Sequence, residues 1–142
     1  MDSDFLHFKK RINKPSFMKK TITSKNAPEP IGPYSHAVLA GNTLYVSGQV
    51  GKKASGEMMT SDIKTETVQV MSNIKSILAE AGMDMEHVVK TTIFLKDLND
   101  FSAVNETYGS YFQNQFPARE TVQVSRLPLD VNVEISVIAV KQ

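Results

Sequence analysis

The chain reads as an α+β domain with one mixed six-stranded sheet and both helices on one face of it. Three observations predict this. Two segments carry apolar residues at helical spacing. Six short segments are rich in β-branched residues or alternate in polarity. Their order is β-ββ-α-β-α-ββ, so an early hairpin must be antiparallel, while a helix between two strands favours a parallel crossover. The 142 residues suit one domain with a self-sufficient core.

The elements follow in chain order. Thr21 to Thr23 is a short strand candidate. Pro28, Pro30 and Pro33 then forbid helix or central strand and make an ordered loop or extended arm. Ala37 to Ala40 and Thr43 to Ser47 flank Gly41-Asn42, the signature of a tight hairpin. Asp62 is a good N-cap for a helix whose apolar stripe runs Ile63, Thr67, Val70, Met71, Ile74, Ile77, Leu78 and Ala81. Gly82 sits where a left-handed residue ends such a helix. His87 to Lys96 is a strand with Val89, Thr91, Ile93 and Leu95 on one face. Asp97 or Asn99 caps a second helix carrying Phe101, Val104, Tyr108, Tyr111 and Phe112 on one side. Arg119 to Ser125 and Val131 to Val140 are the last strands, joined by the turn Leu127 to Asp130. In the final strand both parities are apolar, yet two helices cover only one face. A second subunit is the simplest cover for the other.

Composition excludes several functions. There is no cysteine, hence no disulfide framework, thiolate metal site or cysteine nucleophile. That fits a reducing compartment, and the expected location is cytoplasmic. No apolar run approaches the roughly 20 residues of a membrane span. His7, His36 and His87 have no second ligand at metal spacing, so no metal is expected. Residues 1–17 are basic and polar, without the apolar core of a secretory signal. Met18-Lys19-Lys20 resembles a second start, so 1–17 is read as an extension, expected to be mobile, and 18–142 as the single domain. Residues 1–20 hold six cations and two acids. The other 122 residues carry net charge −3, which argues against a nucleic-acid surface there.

Several residues attract attention on chemical grounds. Phe116-Pro117-Ala118-Arg119 delivers an arginine to the start of a strand, and a guanidinium fits a carboxylate with two parallel bonds. Arg119, Thr121, Gln123 and Ser125 share one parity; the plain alternative is an edge strand with Arg119 paired to an acid such as Glu120. Glu134 lies within the most apolar strand, either on a wet face or as a partly buried carboxylate with a raised pKa suited to moving a proton. Tyr34 ends the proline arm. Ser47-Gly48 ends a strand where glycine permits a close approach or a bulge. Asn105 is mid-helix and means little alone.

Taken together, Gly32-Pro33-Tyr34-Ser35, Val46-Ser47-Gly48-Gln49, Val88 to Thr92, Val104-Asn105, Phe116 to Arg119, and Arg126-Leu127-Pro128 through Val133-Glu134-Ile135 resemble the RidA/YjgF family of reactive-intermediate enamine/imine deaminases, over about Lys19 to Gln142. The resemblance implies a chorismate-mutase-like subunit and a homotrimer with three clefts, each lined by two neighbours. It implies hydrolysis of small 2-imino acids, such as 2-iminopropionate from 2-aminoacrylate, to 2-keto acids and ammonia, with no cofactor. Arg119 would clamp the substrate carboxylate. Glu134 would handle the reacting water. Thr121, at a position often cysteine, would donate to substrate, and Tyr34, Ser47, Gly48 and Asn105 would complete the binding site. His36 and Ser136 depart from the frequent glutamine and glutamate. The alternatives are a non-catalytic trimer that binds a carboxylate metabolite, and a ribonuclease or translation inhibitor. Neither nucleic acid nor membrane is an expected partner.

Overall fold

A computed structural model describes residues 18–142. The segment 1–17, expected to be a mobile extension, lies outside the described residues. Six strands form one sheet: β1 (Lys19–Ile22), β2 (Ala37–Ala40), β3 (Thr43–Gln49), β4 (Val88–Leu95), β5 (Ala118–Gln123) and β6 (Val133–Val140). Their spatial order is β1-β2-β3-β6-β4-β5. The Gly41-Asn42 hairpin forms as read, with Ala40 opposite Thr43 and Gly41 at φ 60°. β6 is antiparallel to both β3 and β4, while β4 and β5 run parallel.

Helix α1 (Ile63–Glu80) crosses from β3 to β4, and α2 (Phe101–Gly109) from β4 to β5. Asp62 caps α1 by accepting from the Thr65 N–H, and Gly82 ends that region at φ 71°. The second helix starts differently from the expectation. Asp97 caps a 3-10 turn, Leu98–Asp100, which leads into α2, and Asp100 makes no side-chain cap. α2 also stops at Gly109, so Tyr111 and Phe112 pack on the core from the segment beyond it.

Both helices lie on one face. Val70, Met71, Ile74, Ile77 and Leu78 of α1 meet Leu44, Val46, Ile93, Leu95, Val133, Ile135, Val137 and Ala139 of the sheet in a closed core. β4 departs from simple alternation. Val88 opposes Ala139 but Lys90 opposes Ile138, so one extra residue enters the strand. This bulge puts Val88 in the core and turns Val89 outward, 48 % exposed, where alternation had placed it inside. The other sheet face is uncovered in the single chain. Tyr45, Val122 and Val140 stand exposed there beside the half-buried Phe94 and Ile138. No helix among the described residues is long and apolar enough to cross a membrane.

Candidate functional site

Two concavities collect the candidate residues, and they belong to opposite faces of the sheet. The first is at the β5 edge. Gln115, in the left-handed region at φ 52°, and Pro117 turn the chain from the α2 side into β5. Register then decides where Arg119 points. It pairs with Thr91, which is fully buried beneath the helices, so Arg119 is on the helix side. Its guanidinium carbon lies 5.1 Å from the Tyr108 ring centroid and 5.7 Å from that of Phe101. Contacts of this kind contribute about 0.5–2 kcal/mol and orient the fork without neutralising it. Tyr108 is fixed by donating from its hydroxyl to Thr91 Oγ1 at 2.8 Å, and burial pushes its phenol pKa up.

None of the ion pairs among the described residues involves Arg119. The acid next to it goes elsewhere. Glu120 points to the open face, accepting from Lys90 Nζ at 2.9 Å and from the Thr92 hydroxyl at 3.1 Å, and these bonds hold its carboxyl below the usual range. The edge-strand reading of β5 is therefore correct, but its paired-arginine half is not, because alternation puts neighbours 119 and 120 on opposite faces. Arg119 borders a cavity of about 330 Å³ with Asn105, Tyr108, Gly109, Phe116 and Pro117. Two residues along the same face, Thr121 Oγ1 is buried and has no hydrogen-bond partner among the described residues. Such a group carries a desolvation cost until something pairs with it.

The second concavity joins the proline arm to β3. It is small, about 40 Å³, and its lining includes Ile31, Tyr34, His36, Gly48, Gln49 and Leu129. Ser47 ties the arm down: its hydroxyl donates to the Ser35 carbonyl at 2.6 Å and its N–H to the His36 carbonyl at 2.9 Å. His36 is 2 % exposed with both ring nitrogens engaged, Nε2 at 2.7 Å from the Pro28 carbonyl and Nδ1 accepting the Ser24 N–H at 3.0 Å. It lines the concavity as a brace. Gly48 lets the Glu134 carboxyl lie against the backbone, since a Cβ there would come within 2.8 Å of it and displace it. The register shift between Val46 and Gln49 sits at the same place, so the bulge and the close approach are one feature. Glu134 is opposite Phe94 on the open face, and burial pushes its pKa above the ordinary carboxylate value.

Glu134 is held by what precedes it on β6. Glu66 of α1 is fully buried, and its carboxylate accepts from Asn132 N at 2.8 Å, Asn132 Nδ2 at 2.7 Å and Val133 N at 3.2 Å. Gly51 leaves room for it, because a Cβ at 51 would fall 2.6 Å from Glu66 Cγ. Upstream, Leu129 and Asp130 are both left-handed, at φ 60° and 53°. That backbone costs a residue such as leucine about 1–2 kcal/mol. The sequence predicts a turn or short loop over 127–130, and neither its left-handed pair nor the role of Glu66 is among the expectations above. The latter had a signal, since it falls between Ile63 and Val70 within the apolar stripe; the former had none.

Arg119, Thr121 and Asn105 thus gather on one side, and Tyr34, Ser47, Gly48 and Glu134 on the other. Arg119 and Glu134, read as partners in one reaction, do not converge within a single chain. No cluster of three histidine, aspartate or glutamate side chains among the described residues is placed to hold a metal ion.

Comparison with known proteins adds the following. A family model described as Endoribonuclease L-PSP matches residues 24–141. A RutC family protein of Pyrococcus horikoshii is 51 % identical over 126 residues, 88 % of this chain and 100 % of that protein. A protein of Bos taurus named 2-iminobutanoate/2-iminopropanoate deaminase is 48 % identical over 127 residues, covering 89 % and 93 %. Among solved structures, the YjgF gene product of E. coli superposes with a TM-score of 0.83 at 45 % identity, covering 87 % of this chain and 99 % of that one. E. coli TdcF with bound serine gives 0.83 at 38 % identity, with the same coverage.

Proposed function

The chain belongs to the RidA/YjgF family, and from that premise we propose that it hydrolyses small 2-imino acids to 2-keto acids and ammonia in clefts between the subunits of a homotrimer. The observation that carries this reading is Arg119: a half-buried guanidinium held over two aromatic rings, without an acid partner among the described residues, facing a cavity. An arginine so placed is a receptor for an anion supplied from outside. Support also comes from the mammalian relative's name and from a relative solved with serine, itself a small amino acid with a carboxylate.

The division of the site explains the need for neighbours. Arg119, Thr121 and Asn105 form one half; Tyr34, Gly48 and Glu134 form the other. A cleft between two subunits joins the first half of one chain to the second half of the next. The exposed apolar residues of the open sheet face, Tyr45, Val122 and Val140, supply the contact surface for such packing.

In that cleft Arg119 binds the substrate carboxylate in a bidentate manner and fixes the imine carbon, an effect of orientation. Water attacks that carbon. Its oxygen forms the new C–O bond as the C=N π pair moves to nitrogen, and Glu134 takes the water's proton. Return of that proton to nitrogen gives the carbinolamine; transfer of the hydroxyl proton to the amino nitrogen, again through Glu134, then breaks the C–N bond as the C=O forms, releasing ammonia and the ketone. The raised pKa of Glu134 makes it a stronger base than an exposed carboxylate. Thr121 donates its free hydroxyl to a polar substrate atom. The imine carbon is electrophilic already, so the step is written without a cofactor.

The test is the loss of freshly generated 2-iminopropionate with and without the protein. Wild type accelerates hydrolysis and Arg119→Ala does not, while both elute as the same oligomer. Full turnover by Arg119→Ala would overturn the assignment. Stabilisation by 2-ketobutyrate with no acceleration would favour a non-catalytic binder. Ribonuclease chemistry, named by the family model's description, is disfavoured by the net charge of −3 outside residues 1–20.

A further inference from the structure

Three large apolar side chains ring the concavity on the Tyr34 side, and all are exposed: Ile31 at 66 %, Tyr34 at 50 % and Leu129 at 52 %. Tyr34 belongs to the proposed binding site. Ile31 and Leu129 have no role in it so far. Ile31 is carried outward by the arm that Pro28, Pro30 and Pro33 stiffen.

Leu129 reaches the rim by a stranger route. It adopts φ 60°, ψ 15°, a conformation that glycine or asparagine takes easily and leucine does not. The following Asp130 is left-handed as well. The turn is held from several sides. Asp130 N–H donates to the Leu127 carbonyl at 3.1 Å, and Val131 N–H to that of Pro128 at 3.4 Å. Lys96 Nζ lies 3.0 Å from the Asp130 carboxylate. Lys96 N–H donates to the Asn132 carbonyl at 3.0 Å, and Asn132 is clamped on the buried Glu66. Strain this firmly imposed, at the mouth of a candidate site, is where function is to be sought. What it achieves here is to hold an aliphatic side chain out at the rim, at the Gly48 concavity and five residues ahead of Glu134.

We propose that Leu129 determines side-chain selectivity: with Ile31 it forms the apolar wall that receives the aliphatic chain of the substrate, favouring 2-imino acids whose chain is longer than methyl. This rests on the deaminase reading above and deepens it.

The test compares the imines of alanine and norvaline, generated in place by an amino-acid oxidase, on one preparation of each protein. The readout is the ratio of the two kcat/KM values, in which the concentration of folded enzyme cancels. Wild type favours the norvaline imine by about tenfold, the value of two methylenes partly covered. Leu129→Asn keeps the backbone accessible but removes the apolar wall, and its ratio falls to near one. Leu129→Met restores apolar bulk and keeps the ratio within about twofold of wild type. An unchanged ratio in Leu129→Asn, or an equal collapse in Leu129→Met, would overturn the inference. Arg119→Ala is assayed alongside. If it is inactive and the ratio fails to move in Leu129→Asn, only the role of Leu129 falls. If Arg119→Ala turns over normally, the deaminase site itself is misplaced and this inference falls with it.

Discussion

The two concavities differ in how they are prepared for a ligand. At the β5 edge the groups are left unsatisfied: Arg119 is oriented by rings that do not neutralise it, and Thr121 Oγ1 has no partner among the described residues. On the Tyr34 side most polar groups are already spent. Ser47, His36 and Glu66 all bond to backbone, and what they secure is the position of Tyr34, Gly48 and Glu134. One region presents a guanidinium without an acid partner among the described residues; the other is a braced arm beside Glu134, whose pKa burial raises. On the proposed reading, the arginine that would clamp the carboxylate and the glutamate that would move the proton stand on different faces of one sheet, and a cleft between two chains would bring them together.

Three variants break or sharpen that contrast. The largest effect belongs to Arg119→Ala, for which kcat/KM falls by about a hundredfold or more, since paired charged hydrogen bonds are lost. If the contrast is right, its thermal stability falls only by what the two ring contacts contribute, about 0.5–2 kcal/mol, because no ion pair among the described residues is broken.

Glu134→Gln lowers kcat by about a hundredfold and leaves KM nearly unchanged, as expected for a group that moves a proton but does not hold the carboxylate. It also has a signature in stability. Burial raises the folded-state pKa of Glu134, so the native chain binds its proton more tightly than the unfolded one. The stability linked to that proton is fully present below the unfolded-state pKa and is lost as pH rises through the higher folded value. Thermal melts should therefore find Glu134→Gln more stable than wild type at neutral pH. The gap should close in acid, below about pH 4. A gap that widens in acid would mean that Glu134 is stabilised as an anion, contrary to this account.

Thr121→Val has the smallest effect and is the most discriminating. It removes a hydroxyl that no described residue uses. If that hydroxyl were idle, the variant would be neutral to stabilising and fully active. On the present reading it is no less stable, yet kcat/KM drops by about fivefold, the worth of one hydrogen bond to substrate. Melting curves and steady-state rates on the same preparation separate the two.

Much of this was legible in the sequence because local rules governed it. The Gly41-Asn42 hairpin, the Asp62 cap, the α1 stripe and the left-handed Gly82 all depend on neighbours within a few residues. The parallel β4–β5 crossover followed from element order alone. Failures came where tertiary register overrode alternation. The β4 bulge exchanged Val88 and Val89, and the 3-10 turn took over the cap expected for α2. For the candidate site, residue types and motifs single out Arg119 and Glu134, but not that strand parity sends them to opposite faces. That needs the pairing of β5 with β4 and of β4 with β6, which brings Arg119 beside Thr91 and Glu134 beside Phe94. Leu129 was invisible because nothing in Leu-Pro-Leu-Asp announces two consecutive left-handed residues.

The most direct test of a site divided between chains is complementation. Arg119→Ala and Glu134→Gln subunits, each inactive alone, are co-expressed in equal amounts and the mixed oligomers are assayed. If each cleft takes its arginine from one chain and its glutamate from the next, random assembly leaves about one quarter of the clefts intact, and activity returns to about a quarter of wild type. Mixed oligomers as inactive as their parents would place both residues in a cleft built by one chain, and would contradict the account.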